Sequence, residues 1–195
     1  MGCFHSKKLK TKLMNGESKK LRKSAKKYLP SHDTEDGGKG REELRPEFTE
    51  RQKELVVECW KCVSEDIARV GVVMFMNLFE THPDVQDVFM PFKGKSKEDL
   101  KQSTQLRSHA LRVMGTVEKC LARINEPKKL EEMLHELGAR HVMYNAKVDY
   151  IDLIGPQFIW AIQPTIGDKW TTELEEAWSD LFKLISHIMK GAMVF

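Results

Sequence analysis

Two histidines stand where an imidazole could do chemistry. His109 lies in "LRSHALRV", one helical turn before Val113, and His141 closes "LHELGARH", one turn after Leu137. A spacing of four residues puts each ring on the apolar side of its segment. A neutral ring nitrogen in such a place either satisfies a core hydrogen bond or binds a metal, and each histidine taken alone reads well as the first. Cys59 and Cys62, in "CWKC", have the spacing of a redox dithiol. That motif needs a strand before it, and this segment is helical in pattern, so plain thiols are the simpler reading. The opening "MGCFHS" offers a third chemistry: Gly2 behind the first Met, with Ser6 after it, fits N-myristoylation, and Cys3 stands where a palmitoyl chain is added.

The apolar spacing predicts the helices that must position these groups. Thr49 and Gln52 form a capping box ahead of Leu55, Val56, Cys59, Val63 and Ile67, which keep to one helical face. A second helix is predicted over Ile67 to Glu80, and Pro83 opens a short third one, where a missing N–H does no harm. After a loop, "MPFKGKSKE", comes a long helix whose stripe is Leu106, Ala110, Val113, Val117, Leu121 and Ile124. Pro127 ends or interrupts that pattern, and a shorter helix runs from about Lys129 to His141. Two more are predicted over Tyr150 to Ile166 and Thr171 to Met193, the last with Thr172 and Glu175 as a capping box. No alternating run bounded by turn residues competes. The class is all-α, with roughly seven or eight helices of unequal length in an irregular packing.

With 195 residues, 41% of them apolar, the chain has enough for one domain with a real core. It has no apolar run of about 18 residues to span a bilayer and no secretory pattern at its start, so a cytoplasmic location and reduced cysteines are expected. A "DxDxDG" loop, which an acylated calcium sensor would need, is missing. The net charge of +3 hides a strong asymmetry, because residues 1–30 hold ten lysines and arginines against the single acid Glu17. A solvated arm or a nucleic-acid contact are the alternatives for such a tail. Beside Gly2 and Cys3 the lysines make better sense at a membrane: one myristoyl chain binds only marginally, and each basic residue adds about 1 kcal/mol at an anionic leaflet. Residues 1–30 are thus expected to anchor the chain peripherally at the cytoplasmic face of the plasma membrane, with no nucleic acid as partner. Residues 31–47, rich in Gly, Pro and charge, read as a flexible linker, and residues 48–195 as the folded domain.

Together the histidines say more than either alone. Two inward imidazoles on separate helices, with apolar flanks and no acidic cluster, suit a haem iron better than zinc or calcium. At this point the chain resembles the globin family over about Phe48 to Met193, on several motifs at once. "LFETHPDVQDVF" is similar to the end of the second globin helix with the short third one, and its Phe89 resembles the phenylalanine that stacks on haem. His109 with Val113 resembles the distal pair, and His141 with Leu137 the proximal pair. Trp60 and Trp178 also fall where globins often have tryptophan. With its acylatable start the chain is most similar to the membrane-bound globins of the globin X group.

The resemblance implies a globin fold around haem b (iron protoporphyrin IX), with His141 on the proximal side of the iron and Leu137 behind its ring. Phe89 would stack on the porphyrin, Phe92 line its edge, and Phe75 with Val113 close the distal pocket; Ala146 and Ile151 would complete the proximal side. Arg112 would reach outward to a haem propionate, an ordinary solvated arginine being the alternative. His109 would either hydrogen-bond bound dioxygen or bind the iron itself, and the globin X likeness favours the second. Some six-coordinate globins carry a disulfide, and Cys59 or Cys62 with Cys120 is the version available here. The implied ligands are dioxygen, carbon monoxide, nitric oxide and nitrite, with a reductase as partner. The implied function is redox or sensing work at the membrane, more than bulk oxygen transport. The alternative is a haem enzyme that reduces nitrite to nitric oxide or converts nitric oxide to nitrate.

Overall fold

The computed structural model describes residues 48–194; Gly2, Cys3, the basic tail and the linker lie outside them. Helix α1 (Glu50–Val63) starts through the expected capping box: the Thr49 hydroxyl accepts from the Gln52 N–H, and the Gln52 side-chain oxygen accepts from the Thr49 N–H at 2.9 Å. Two orphan donors of the helix start are thereby satisfied. A 3₁₀ turn, Ser64–Asp66, leads into α2 (Ile67–Thr81), which buries Val70, Met74, Phe75, Leu78 and Phe79. Pro83 is the first residue of α3 (Pro83–Val88), as expected.

The segment predicted as a plain loop before the long helix runs into a helix of its own, α4 (Lys97–Gln102). Ser96 accepts from the Asp99 N–H at 3.1 Å and the Asp99 carboxylate accepts from the Ser96 hydroxyl at 2.7 Å. Since α4 buries only Leu100, no apolar stripe announces it; the capping pair in "SKED" is its sequence signal. The long helix α5 (Thr104–Ala122) follows after Ser103, whose hydroxyl accepts from the Leu106 N–H. The pattern of α5 ends ahead of Pro127, as expected, and Pro127 is itself the first residue of α6 (Pro127–Met143), two residues before the expected start, where its fixed φ suits the helix.

The helix expected from Tyr150 divides into a 3₁₀ stretch, Val148–Leu153, and α7 (Ile154–Ile166). The last helix, α8 (Thr172–Gly191), is capped one residue earlier than expected. The Thr171 hydroxyl accepts from the Leu174 N–H at 3.1 Å, and the Glu175 carboxylate accepts from the Trp170 indole N–H at 2.9 Å. With Thr171 as the cap, the third helical residue is Leu174, whose side chain cannot reciprocate, so no capping box forms. Thr171→Ala should therefore cost about 1 kcal/mol in urea unfolding, whereas Thr172→Ala should leave the midpoint almost unchanged.

Among the described residues there are eight α-helices and no strand. Helix α2 lies across α5 and α7, while α8 lies across α1, α6 and α7; α6 rests mainly on α8. Where the two layers meet, Trp178 of α8 is fully buried, 4.8 Å from the Phe158 ring of α7 and 6.4 Å from Trp60 of α1. Its indole N–H donates to Cys59 Sγ at 3.3 Å. Burial pushes the Cys59 thiol up to about 11 and the Cys120 thiol up to about 12, which keeps both protonated and poor nucleophiles. Among the described residues no disulfide joins Cys59, Cys62 or Cys120, so the pairing implied by the resemblance is not formed in this structure.

Candidate functional site

His109 comes from the middle of α5 and His141 from the last turn of α6. The two helices are joined only by residues 123–126, yet they lean on different partners, α5 on α2 and α6 on α8, and scarcely touch each other. Helices that part from a short turn in this way leave a cleft between them. Both imidazoles are half-buried, and a charge on His141 is felt at His109, which sets the two rings near each other.

Aromatic edges surround His109. Its ring lies 5.0 Å from Phe75, 5.3 Å from Phe89 and 6.2 Å from Phe92, each near-perpendicular. Phe89 and Phe92 stack on each other at 5.9 Å, and Phe79, which the sequence reading missed, touches Phe75, Phe89 and Phe92. Phe75 and Phe92 are buried; Phe89, Val113, Leu137 and Ile151 are half-buried at the margin of the core. Ala146 is half-buried just past the end of α6. The turn that carries Phe89 and Phe92 is fixed by another residue the sequence reading passed over: the Gln86 amide donates to the Phe92 carbonyl at 2.8 Å and to the Lys95 carbonyl at 3.0 Å. Burial, then the charges of Arg112 and His141, lower the His109 pKa from 6.5 to about 4, so the ring is neutral at ordinary pH.

The hydrogen bonds of the two rings fix which nitrogen of each carries the proton. His141 Nδ1 is 2.8 Å from the Leu137 carbonyl. A carbonyl only accepts, so Nδ1 holds a hydrogen, and in the neutral ring, the form that binds a metal, Nε2 presents its lone pair. Leu137 thus acts through its backbone as well as standing one turn back. His109 Nδ1 is 3.3 Å from Arg112 Nη2. A guanidinium only donates, so here Nδ1 is the acceptor and Nε2 carries the hydrogen. The sequence reading sends Arg112 outward to a propionate; the structure shows it exposed, with this contact to its own helix neighbour. One imidazole is therefore prepared to ligate a metal and the other to donate a hydrogen bond.

Two residues past the end of α6, Asn145 turns left-handed at φ 60°, a conformation its short polar side chain tolerates. The Ala146 N–H then donates to the His141 carbonyl at 3.1 Å. The Tyr150 hydroxyl donates to Asp84 at 2.8 Å, linking the stretch after α6 to α3. One turn before His141, Gly138 lets α6 approach α8 so closely that a Cβ would stand 2.3 Å from the Met189 carbonyl oxygen. A glycine inside the helical pattern "ELGARH" was the available sign of that approach.

Whether this cleft suits a haem follows from its donor set. Among the described residues no three His, Cys, Asp or Glu side chains converge to hold a bare ion. A metal bound at His141 Nε2 would have to arrive with most of its own ligands, in a flat apolar frame that half-buried Phe89, Val113, Leu137 and Ile151 can cover. Porphyrin iron meets both conditions.

Comparison with known proteins agrees. Residues 72–189 match the Globin family model. An anaerobic nitrite reductase of Gossypium hirsutum is 28% identical over 149 residues, covering 75% of this chain and 91% of that protein. Neuroglobin-1 of Oncorhynchus mykiss is 24% identical over 139 residues, covering 71% and 87%. A solved hexacoordinated haem protein from an anhydrobiotic tardigrade has the same fold, with a TM-score of 0.71, 23% identity, and 76% of this chain and 97% of that one covered. With eight helices among the described residues and a family match across more than half of its length, the chain belongs to the globin family.

Proposed function

We propose that this globin holds haem b as a membrane-anchored binding and redox module, with a bis-histidyl resting state, and does not serve bulk oxygen transport. The observation that carries the haem reading is His141, whose Nδ1 is tied to the Leu137 carbonyl so that Nε2 is free for iron; the tardigrade neighbour, described as a hexacoordinated haem protein, supports the bis-histidyl state. Haem b bound there would supply an iron that takes dioxygen, carbon monoxide or nitric oxide and passes single electrons. His141, held by the Leu137 carbonyl, would bind the metal through Nε2. Phe89 and Val113 would cover the porphyrin, while Phe75 and Phe92 exclude water around His109. In its present tautomer His109 Nε2–H serves a diatomic ligand; with the proton on Nδ1 it occupies the sixth position, and an external ligand then binds only for the fraction of time that the site is open. Arg112, which is exposed, can exchange its contact on His109 for a propionate. The name of the Gossypium relative supports a second reading, an enzyme that reduces nitrite to nitric oxide with electrons from a reductase.

The sequence features of the first 30 residues support an address at the cytoplasmic face of the plasma membrane, with Gly2 myristoylated, Cys3 palmitoylated and the lysines on anionic lipid. The test is the visible spectrum of the reduced, ligand-free protein beside His109→Ala. Sharp, split bands that collapse to one broad band in the variant support bis-histidyl iron; a broad band in both refutes it. Sustained nitrite turnover with a cellular reductant would decide for the enzyme. Gly2→Ala should move the chain from the membrane to the soluble fraction, and unchanged fractionation would refute the anchor.

A further inference from the structure

The contact between Arg112 and His109 reaches beyond orientation. Iron ligation and ligand stabilisation both use Nε2 of His109, but they require opposite states of it: a lone pair for the first, an N–H for the second. Which state exists is decided at the other nitrogen. There the guanidinium, a donor with no acceptor capacity, stands 3.3 Å from Nδ1. While it stays, Nδ1 has no room for a proton of its own, and the ring keeps its hydrogen on Nε2. Rings pack edge-on against the imidazole from Phe75 and Phe89, so its orientation is held and the choice falls to Arg112.

We propose that Arg112 is a positioning residue that selects the tautomer of His109, and thereby sets how often this histidine occupies the iron. The inference rests on the haem reading above. For His109 to ligate, the guanidinium must withdraw. The Nε2 proton then passes to solvent, a solvent proton is taken up at Nδ1, and the Nε2 lone pair forms the bond to iron; the ring's proton count and all oxidation states are unchanged. Arg112 is exposed on α5 and has only its own helix neighbour to leave, so a carboxylate near the cleft can draw it away. One guanidinium shared between two acceptors would then report, at the sixth position of the iron, which of them holds it.

Two readouts on the full chain test this, and one of them needs no haem. In haem-free protein labelled with ¹⁵N, the histidine ring correlations of the wild type should show His109 with its proton on Nε2. Arg112→Met, which keeps length and removes the donor, should shift His109 toward the Nδ1–H form; Arg112→Lys, which keeps a donor with no acceptor capacity, should stay close to the wild type. An Nδ1–H wild type, or a ring indifferent to Arg112→Met, overturns the proposal. In the haem-loaded reduced protein, Arg112→Met should raise the equilibrium constant for His109 binding about tenfold, the effect of one lost charge-assisted hydrogen bond. It should be read as the ratio of split to broad visible bands, with His109→Ala as the zero. Equal ratios in wild type and Arg112→Met, or a Lys variant that matches Met, also overturn the proposal. A protein that takes up no haem, but whose ring tautomer follows Arg112, would refute the haem reading and leave the selector standing.

Discussion

The His141→Gly variant is expected to lose tight haem binding, by more than about a hundredfold, and to recover its spectrum when free imidazole is added. The expectation follows from the proton on each ring. His141 alone of the pair has Nδ1–H tied to a carbonyl, at 2.8 Å from Leu137, and hence an Nε2 lone pair directed away from its own helix. Losing a single outer-shell partner of a metal ligand typically costs about 10–100-fold, so losing the ligand itself should cost more. Glycine leaves a gap that imidazole can fill, while the apolar cover from Phe89, Val113 and Leu137 remains. His109→Ala should retain haem, because His109 in its present tautomer is a donor. Haem titration followed in the Soret region checks both. Retention in His141→Gly with loss in His109→Ala would exchange the two roles.

Gly138→Ala should be the most disruptive single methyl in the fold, costing about 3 kcal/mol. The added carbon would stand 2.3 Å from the Met189 carbonyl oxygen, 3.0 Å from its carbon and 3.1 Å from Ala192 Cβ. Helix backbone cannot step aside as a long side chain does, so α6 must lift from α8. Since His141 follows Gly138 by three residues on α6, the same shift would move the ligand. Urea unfolding should therefore show a lower midpoint together with a changed iron spectrum. Gly115→Ala, in α5 with open space around its Cβ, is the control. It should stabilise by about 0.5–1 kcal/mol through helix propensity alone. Equal effects at the two glycines would mean that α6 and α8 are not in close contact.

Those two glycines show what sequence could and could not reveal. Periodicity found α1, α2, α5 and α8 because long helices repeat their apolar face over several turns. It missed α4, which shows the core one leucine, and it placed the α8 cap one residue late because two adjacent threonines both suit the position and only the first accepts from the helix. His109, His141 and the phenylalanines near them were visible as residue types at helical spacing. Their hydrogen bonds were not, since the Leu137 carbonyl exists in every sequence and Arg112 on an exposed face looks like any solvated arginine. Phe79 and Gln86 went unnoticed for a related reason: their importance lies in what they touch, and Gln86 binds backbone carbonyls, which leave no mark in the sequence.

Helix α6 rests mainly on α8 and scarcely touches α5. In the language of local unfolding, it is a long helix with one main neighbour to lose by opening, and His141, the proposed proximal ligand, sits on its last turn. Iron bound at His141 would supply the second wall that the chain does not. Dissociation of the cofactor and the opening of α6 would then be a single event, and the residence time of one would be the lifetime of the other.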